Sequence, residues 1–409
     1  MNTRSAYLDG LRGFAAAQVI LLHYFSAFIP ILAFPIPYRG WSGFINIMGG
    51  TPLYYFFDGN SAIYTFFLLS GYVLTMSYLK KTAKLWELVL ARTLRLGIPV
   101  FCSLAIAWLL FTIFPNQHRQ AGAIAQSGWL SNLCDTRFHF VEHVKELFYS
   151  SLLIGYGDSS FWYFFPAIYK VVNPPGTPQS LNFPLWTLSM EFYGSLMIIL
   201  LCVLLKKIKV LHPSLLILMI AYFQPFSISL FFIGHLFALG EFHFPLRQPY
   251  SKTVALTGSL LCWPLIGLAI WLSSRGIPSP WLATHFSRVP LNLVEKMIGA
   301  IIIFASVLFF KRAGIFGRPL IALFESPFFQ FLGQRSFAVY LLHVPVLFTV
   351  SSFVYIFLSG FENQTIALIL TIFWGIFFTY LIAGLFEKYI DRYALAISKA
   401  RSAKPCTTE

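Results

Sequence analysis

The chain has 409 residues, of which 57% are hydrophobic and only 11% charged, and its formal net charge is +14. A soluble domain carries roughly a quarter charged residues, so this composition excludes one and points to an all-α polytopic membrane protein. The basic surplus reads as positive-inside topology and not as nucleic-acid binding, because the cations gather in particular loops.

In chain order, about ten apolar spans of bilayer length are expected. They fall at 8–30, 61–79, 95–115, 182–205, 214–223, 226–240, 253–272, 291–310, 335–358 and 364–387. The first carries Arg12 and His23, eleven helical steps apart. At roughly 100° per residue both lie near one helix face, roughly 16 Å apart along the axis. A cation then sits near one membrane surface and an imidazole well inside, where an ionisable group marks a function by default. The run is too long for a cleaved signal peptide and lacks an early small-residue cleavage site, so it is expected to stay as the first span. Asp9 and Arg12, at i and i+3, are placed to pair.

The second span holds Phe66-Phe-Leu-Leu-Ser-Gly-Tyr72, whose Ser70-Gly71 step suits close helix packing. Arg92 and Arg95 share a helix face where the third begins. Their guanidinium groups suit bidentate phosphate binding, although positive-inside topology explains them equally. The long loop at about 116–181 includes Phe138–Leu153, which reads as an amphipathic helix with Glu142, Lys145 and Glu146 among apolar residues. Asn173-Pro-Pro-Gly-Thr-Pro178 is a turn-rich connector.

The fourth span contains Trp186-Thr-Leu-Ser-Met-Glu-Phe-Tyr193. Glu191 lies about half way through it and needs a partner at that depth. A substrate hydroxyl, His23 or an arginine are the alternatives. The fifth and sixth spans are short and broken by Gln224-Pro225. Glu295 and Lys296 open the eighth and receive no role. His343, in Tyr340-Leu-Leu-His-Val-Pro345, is a second intramembrane histidine, as suited to structure as to function.

Loop charges fix an orientation. Lys80, Lys81, Lys84, Arg92 and Arg95 follow span two, Lys206, Lys207 and Lys209 span four, and Arg247 and Lys252 span six. Lys311, Arg312 and Arg318 follow span eight, and Lys388, Arg392, Lys399, Arg401 and Lys404 span ten. The alternate loops are poorer, with Arg39 in the first, Arg275 and Arg288 in another, and four basic residues in the long one. Both termini are therefore expected in the cytoplasm, with one membrane domain over 1–395, an outer loop at 116–181 and a basic tail at 396–409. The five cysteines, at 102, 134, 202, 262 and 406, include no Cys-x-x-Cys pair, and neither a disulfide framework nor a metal site is expected.

His23 suits a general base or nucleophile near neutral pH. The alternative is a histidine bonded between helices for packing. In order along the chain, Leu8-Asp-Gly-Leu-Arg-Gly13, Arg12-x10-His23, Phe66-Phe-x-x-Ser-Gly71, Arg92-x-x-Arg95, Trp186-x-Leu-Ser-x-Glu191-x-Tyr193 and Gly333-x-x-Ser-Phe-x-x-Tyr-Leu-x-His343 resemble the motif set of the acyltransferase family 3 membrane proteins. These are O-acyltransferases of cell-surface glycans and some secondary metabolites. The resemblance implies that His23 is catalytic, Arg12 supports it, and Arg92 and Arg95 serve acyl-CoA. It puts Glu191 at the family's acidic position, where many members have Glu-Glu and this chain has Glu191-Phe192. Asp9, Ser70, Trp186, Tyr340 and His343 are the supporting residues. No tightly bound cofactor is implied. Acyl-CoA, most simply acetyl-CoA, is the co-substrate. The acceptor is a hydroxyl of a glycan, lipid-linked sugar or small natural product, and the membrane is the plasma membrane. A proton-coupled transporter using His23, Glu191 and His343 as a relay is the alternative.

Overall fold

A computed structural model describes residues 6–30, 51–81, 83–134, 140–208, 211–223, 227–243, 250–274, 291–361 and 363–402. Among these the protein is all-helical, with no strand. Each expected span coincides with a helix: α1 (Ala6–Phe28), α2 (Gly59–Tyr78), α3 (Leu85–Ile113), α4 (Trp186–Lys207), α5 (Leu211–Phe223), α6 (Ser229–His243), α7 (Lys252–Ser274), α8 (Leu291–Phe310), α9 (Pro327–Val346) and α10 (Gln364–Phe386). Arg39, Lys209, Gln224, Pro225, Arg247, Arg275, Arg288, Lys404 and Cys406 lie outside the described residues.

Among the described residues, seven helices are long and apolar enough to cross a membrane, and they include α1, α3, α4, α7, α8, α9 and α10. The three others have physical reasons to fall short. α5 and α6 have 13 and 15 residues, which rise roughly 20 Å against a hydrocarbon core of about 30 Å. α2 is 20 residues long, but Asn60, Ser61, Thr65, Ser70, Thr75 and Ser77 lower its mean hydropathy.

Local chemistry explains the helix ends. Asp58 accepts from the Ser61 amide at 3.3 Å and caps α2. Glu87 reaches back to the Lys84 amide at 2.9 Å to open α3. Asn363 accepts from the Thr365 and Ile366 amides at 3.1 and 3.2 Å and opens α10. Pro345, near the end of α9, removes one backbone donor, and the helix widens into a π turn at Leu347–Ser351. There Thr349 donates to the Pro345 carbonyl at 2.5 Å and Ser352 to the Leu347 carbonyl at 2.9 Å. A second π turn, Glu387–Asp391, follows α10.

The chain divides into two compact units. The first is Met1–Leu22, Ile31–Lys80 and Ile198–Ser336. Its core pairs α2 with α6 and α7 with α8. Gly71 lets the α2 backbone approach the Phe231 carbonyl, which a β-carbon would block. Gly13 does the same where α1 meets Leu332 and Gly333. Lys296 and Asp58 form a buried ion pair at 2.6 Å, so Lys296, given no role from sequence, ties α8 to the cap of α2.

The second unit is His23–Pro30, Lys81–Met197 and Phe337–Glu409. The helix Arg392–Ser402 packs along α3, and Gln117–Ile124 packs on Ser352–Ser359. The expected amphipathic helix is Phe140–Lys145 running into a π turn at Glu146–Ile154. Glu146 departs from a solvated polar face: it is buried. It accepts from the Tyr156 hydroxyl at 2.7 Å, the Ser180 hydroxyl at 2.5 Å and the Leu181 amide at 3.1 Å. Burial pushes its carboxyl above the usual carboxylate range, and those donors pull the other way.

Candidate active site

His23, in the last turns of α1, and His343, near the end of α9, meet in the second unit. His23 Nδ1 lies 2.7 Å from His343 Nε2, and the rings are 3° from parallel. His343 Nδ1 lies 3.0 Å from the Val339 carbonyl oxygen, one turn back along α9. A carbonyl can only accept, so His343 Nδ1 carries its hydrogen. In a neutral imidazole the other nitrogen is then a bare acceptor, and His23 Nδ1 is the donor across the pair. The same rule leaves the lone pair of neutral His23 on Nε2. His343 is wholly buried, whereas His23 is only partly so. His23 is thus the ring that can meet a reactant, and His343 the one that holds it.

Aromatic rings complete the setting. The Trp129 indole stacks on His23 with centroids 5.5 Å apart and planes 24° from parallel. Phe183 presents its edge at 5.3 Å. Phe348, in the π turn past Pro345, touches both Trp129 and Phe183. Phe183 is held by the strap 180–187. Glu146 binds Ser180 and Leu181, and Asn182 Nδ2 donates to the Leu341 carbonyl at 2.7 Å. Tyr340 donates to the Pro184 carbonyl and bonds the Thr187 hydroxyl at 2.5 Å. Trp186 opens α4 just beyond. Tyr340 therefore supports the site through the strap.

The arginines have carboxylate partners. Arg92 pairs with Glu191 and donates to Ser195 at 2.9 Å. Of the alternatives open to Glu191, the structure gives it the arginine. Arg95 makes a two-pronged pair with Asp391, one arm at 3.2 Å, and lies 5.2 Å over the Phe337 ring. These pairs join α3 to α4 and to the π turn past α10. Arg12 pairs with Asp9 at 3.4 Å as expected, both about one-third exposed. That pair and the half-buried Ser70 belong to the first unit.

Trp129, Asn182, Phe183 and Asp391 were not legible as site residues. Trp129 sits in the long connecting loop, and Asn182 and Phe183 open the expected fourth span, where apolar length alone gives no hint of a neighbouring ring. Asp391 stands in a basic stretch past the tenth span, where its acidity was the only signal. Among the described residues, no three histidine, cysteine, aspartate or glutamate side chains converge as metal ligands would.

A family model for an acyltransferase domain matches residues 5–388. The O-acetyltransferase PaAT-1 of Phomopsis amygdali is 24% identical over 451 residues, covering 97% of this chain and 84% of that protein. No solved structure matches. The chain belongs to the acyltransferase family 3 membrane proteins and is an O-acyltransferase.

Proposed function

We propose that the protein moves an acetyl group from acetyl-CoA to a hydroxyl of a glycan, lipid-linked sugar or small natural product, with His23 as general base. The hydrogen-bonded His23–His343 pair carries this reading, because it directs a lone pair from His23 Nε2. The acceptor hydroxyl gives its proton to that nitrogen while its oxygen attacks the thioester carbonyl. The tetrahedral intermediate collapses, and the CoA thiolate leaves and takes the proton back from His23. His343 accepts from His23 Nδ1 throughout and keeps the ring oriented. The O-acetyltransferase relative supports acetyl as the group transferred.

Arg92 and Arg95 are assigned to the phosphates of CoA, which enter against Glu191 and Asp391. The loop charges support ten spans with both termini cytoplasmic, the loop 116–181 outside and the plasma membrane as site. CoA is cytoplasmic and too polar to cross lipid, so the donor arrives from the side rich in Lys and Arg.

The test is thiol release from acetyl-CoA by purified protein offered a panel of hydroxyl compounds. His23→Ala is expected to insert, fold and release none. A fully active His23→Ala would overturn the assignment. Labelled acetyl-CoA without acceptor separates direct transfer from a relay. Stoichiometric label on His23 would replace the base mechanism with an acyl-histidine one.

A further inference from the structure

Asn182 has one polar atom that the protein does not use. Its backbone N–H donates to the Ser180 hydroxyl oxygen at 3.0 Å, and its carbonyl accepts from the Leu185 amide at 3.0 Å. Its side-chain Nδ2 donates to the Leu341 carbonyl at 2.7 Å. Because a carbonyl only accepts, the nitrogen must face Leu341, and the amide cannot be turned over. Oδ1 is thereby committed to the other side. The residue has no exposed surface, and Oδ1 has no hydrogen-bond partner among the described residues. Buried acceptors in native proteins are almost always matched by a donor.

The position of this atom points to a reactant. Leu341 lies two residues before His343, and Phe183, the next residue after Asn182, sets its ring against His23. The hydroxyl undergoing acylation cannot be the donor, since its one hydrogen is directed to His23 Nε2. The acyl donor brings another: the amide N–H of the pantetheine arm, separated from the thioester sulfur by an ethylene unit. We propose that Asn182 Oδ1 accepts this N–H and fixes the thioester beside His23. The inference rests on acyl-CoA being the donor.

The experiment compares acetyl-CoA with an analogue in which that amide N–H is replaced by an ester oxygen. Wild-type protein is expected to favour acetyl-CoA by about tenfold in kcat/KM, or ~1.4 kcal/mol. In Asn182→Ala the ratio should fall to near one. Each ratio comes from one preparation, so it does not depend on the folded fraction. Equal use of both donors by wild type would overturn the assignment and leave a water as partner of Oδ1. An undiminished ratio in Asn182→Ala would overturn it as well. If Asn182→Ala is not recovered folded, the wild-type ratio decides alone. Failure of wild type to consume acetyl-CoA at all would instead sink the acyl-CoA reading.

Discussion

At the residue scale, the Trp129 indole bears on the charge that His23 would acquire as the proposed base. A base that takes a proton becomes a cation, and Trp129 holds its π face against that ring. Such contacts contribute about 2 kcal/mol when desolvated, so Trp129→Leu should lower kcat roughly thirtyfold. Trp129→Phe should retain part of that activity. Steady-state kinetics with a thermal-melt control would check it; a change confined to KM would mean that Trp129 only packs against substrate. Arg95 makes a second case. If it takes the phosphate role proposed above, Arg95→Ala should weaken CoA binding by about 1.5–3 kcal/mol, read by titration with CoA. Binding equal to wild type would leave the arginine only its pair with Asp391. His23 was legible because an imidazole in an apolar run is costly and conspicuous. His343 was conspicuous for the same reason, but its bond to His23 was not legible, because one ring alone gives no hint of the ring beside it. Glu191 was legible as needing a partner, but the choice between His23 and Arg92 depends on how α3 and α4 rotate, which sequence period does not fix.

At the element scale, the buried charges hold helix ends. Lys296 on α8 and Asp58 at the cap of α2 are 5% and 2% exposed. Removing one partner strands a charge, so Lys296→Met should cost about 3–5 kcal/mol, and adding Asp58→Asn should recover part of it. Thermal unfolding in detergent measures both, and a harmless Lys296→Met would show that water reaches Asp58. Glu146 does similar work for the strap that carries Phe183. Its carboxyl is raised by burial, so the native state keeps a proton that the unfolded chain has already lost. That stabilisation is fully present below the ordinary carboxylate range and is lost as pH rises through the raised native value. Relative to Glu146→Gln, wild type should therefore lose melting temperature as pH rises from about 4 through the raised native value. A gap that stays constant across that window would show that Glu146 does not titrate there. Every long helix was legible from apolar length alone. The strap 180–187 and the π turns were not, because they are set by tertiary partners such as Glu146, Leu341 and Arg95.

At the scale of the whole molecule, the decisive question is which loops face the donor. A helix stands at each of the ten expected positions, but among the described residues length and apolarity qualify only seven to cross a membrane, so ten crossings are not confirmed. Charge supplies the remaining constraint. Merging α5 and α6 into one crossing would carry either Lys206 with its neighbours or Lys311 to Arg318 to the outer side. Ten crossings would leave the loops richest in lysine and arginine inside. Val171, on the short helix Pro166–Val172, is 85% exposed and suits a reporter for the outer loop. Lys207, exposed at the end of α4, suits one for the inner side. With the native cysteines replaced, Val171→Cys should react with an impermeant maleimide in intact cells. Lys207→Cys should react only after permeabilisation. The reverse pattern would place the loop 116–181 in the cytoplasm, and with it the wrong face of the membrane toward CoA.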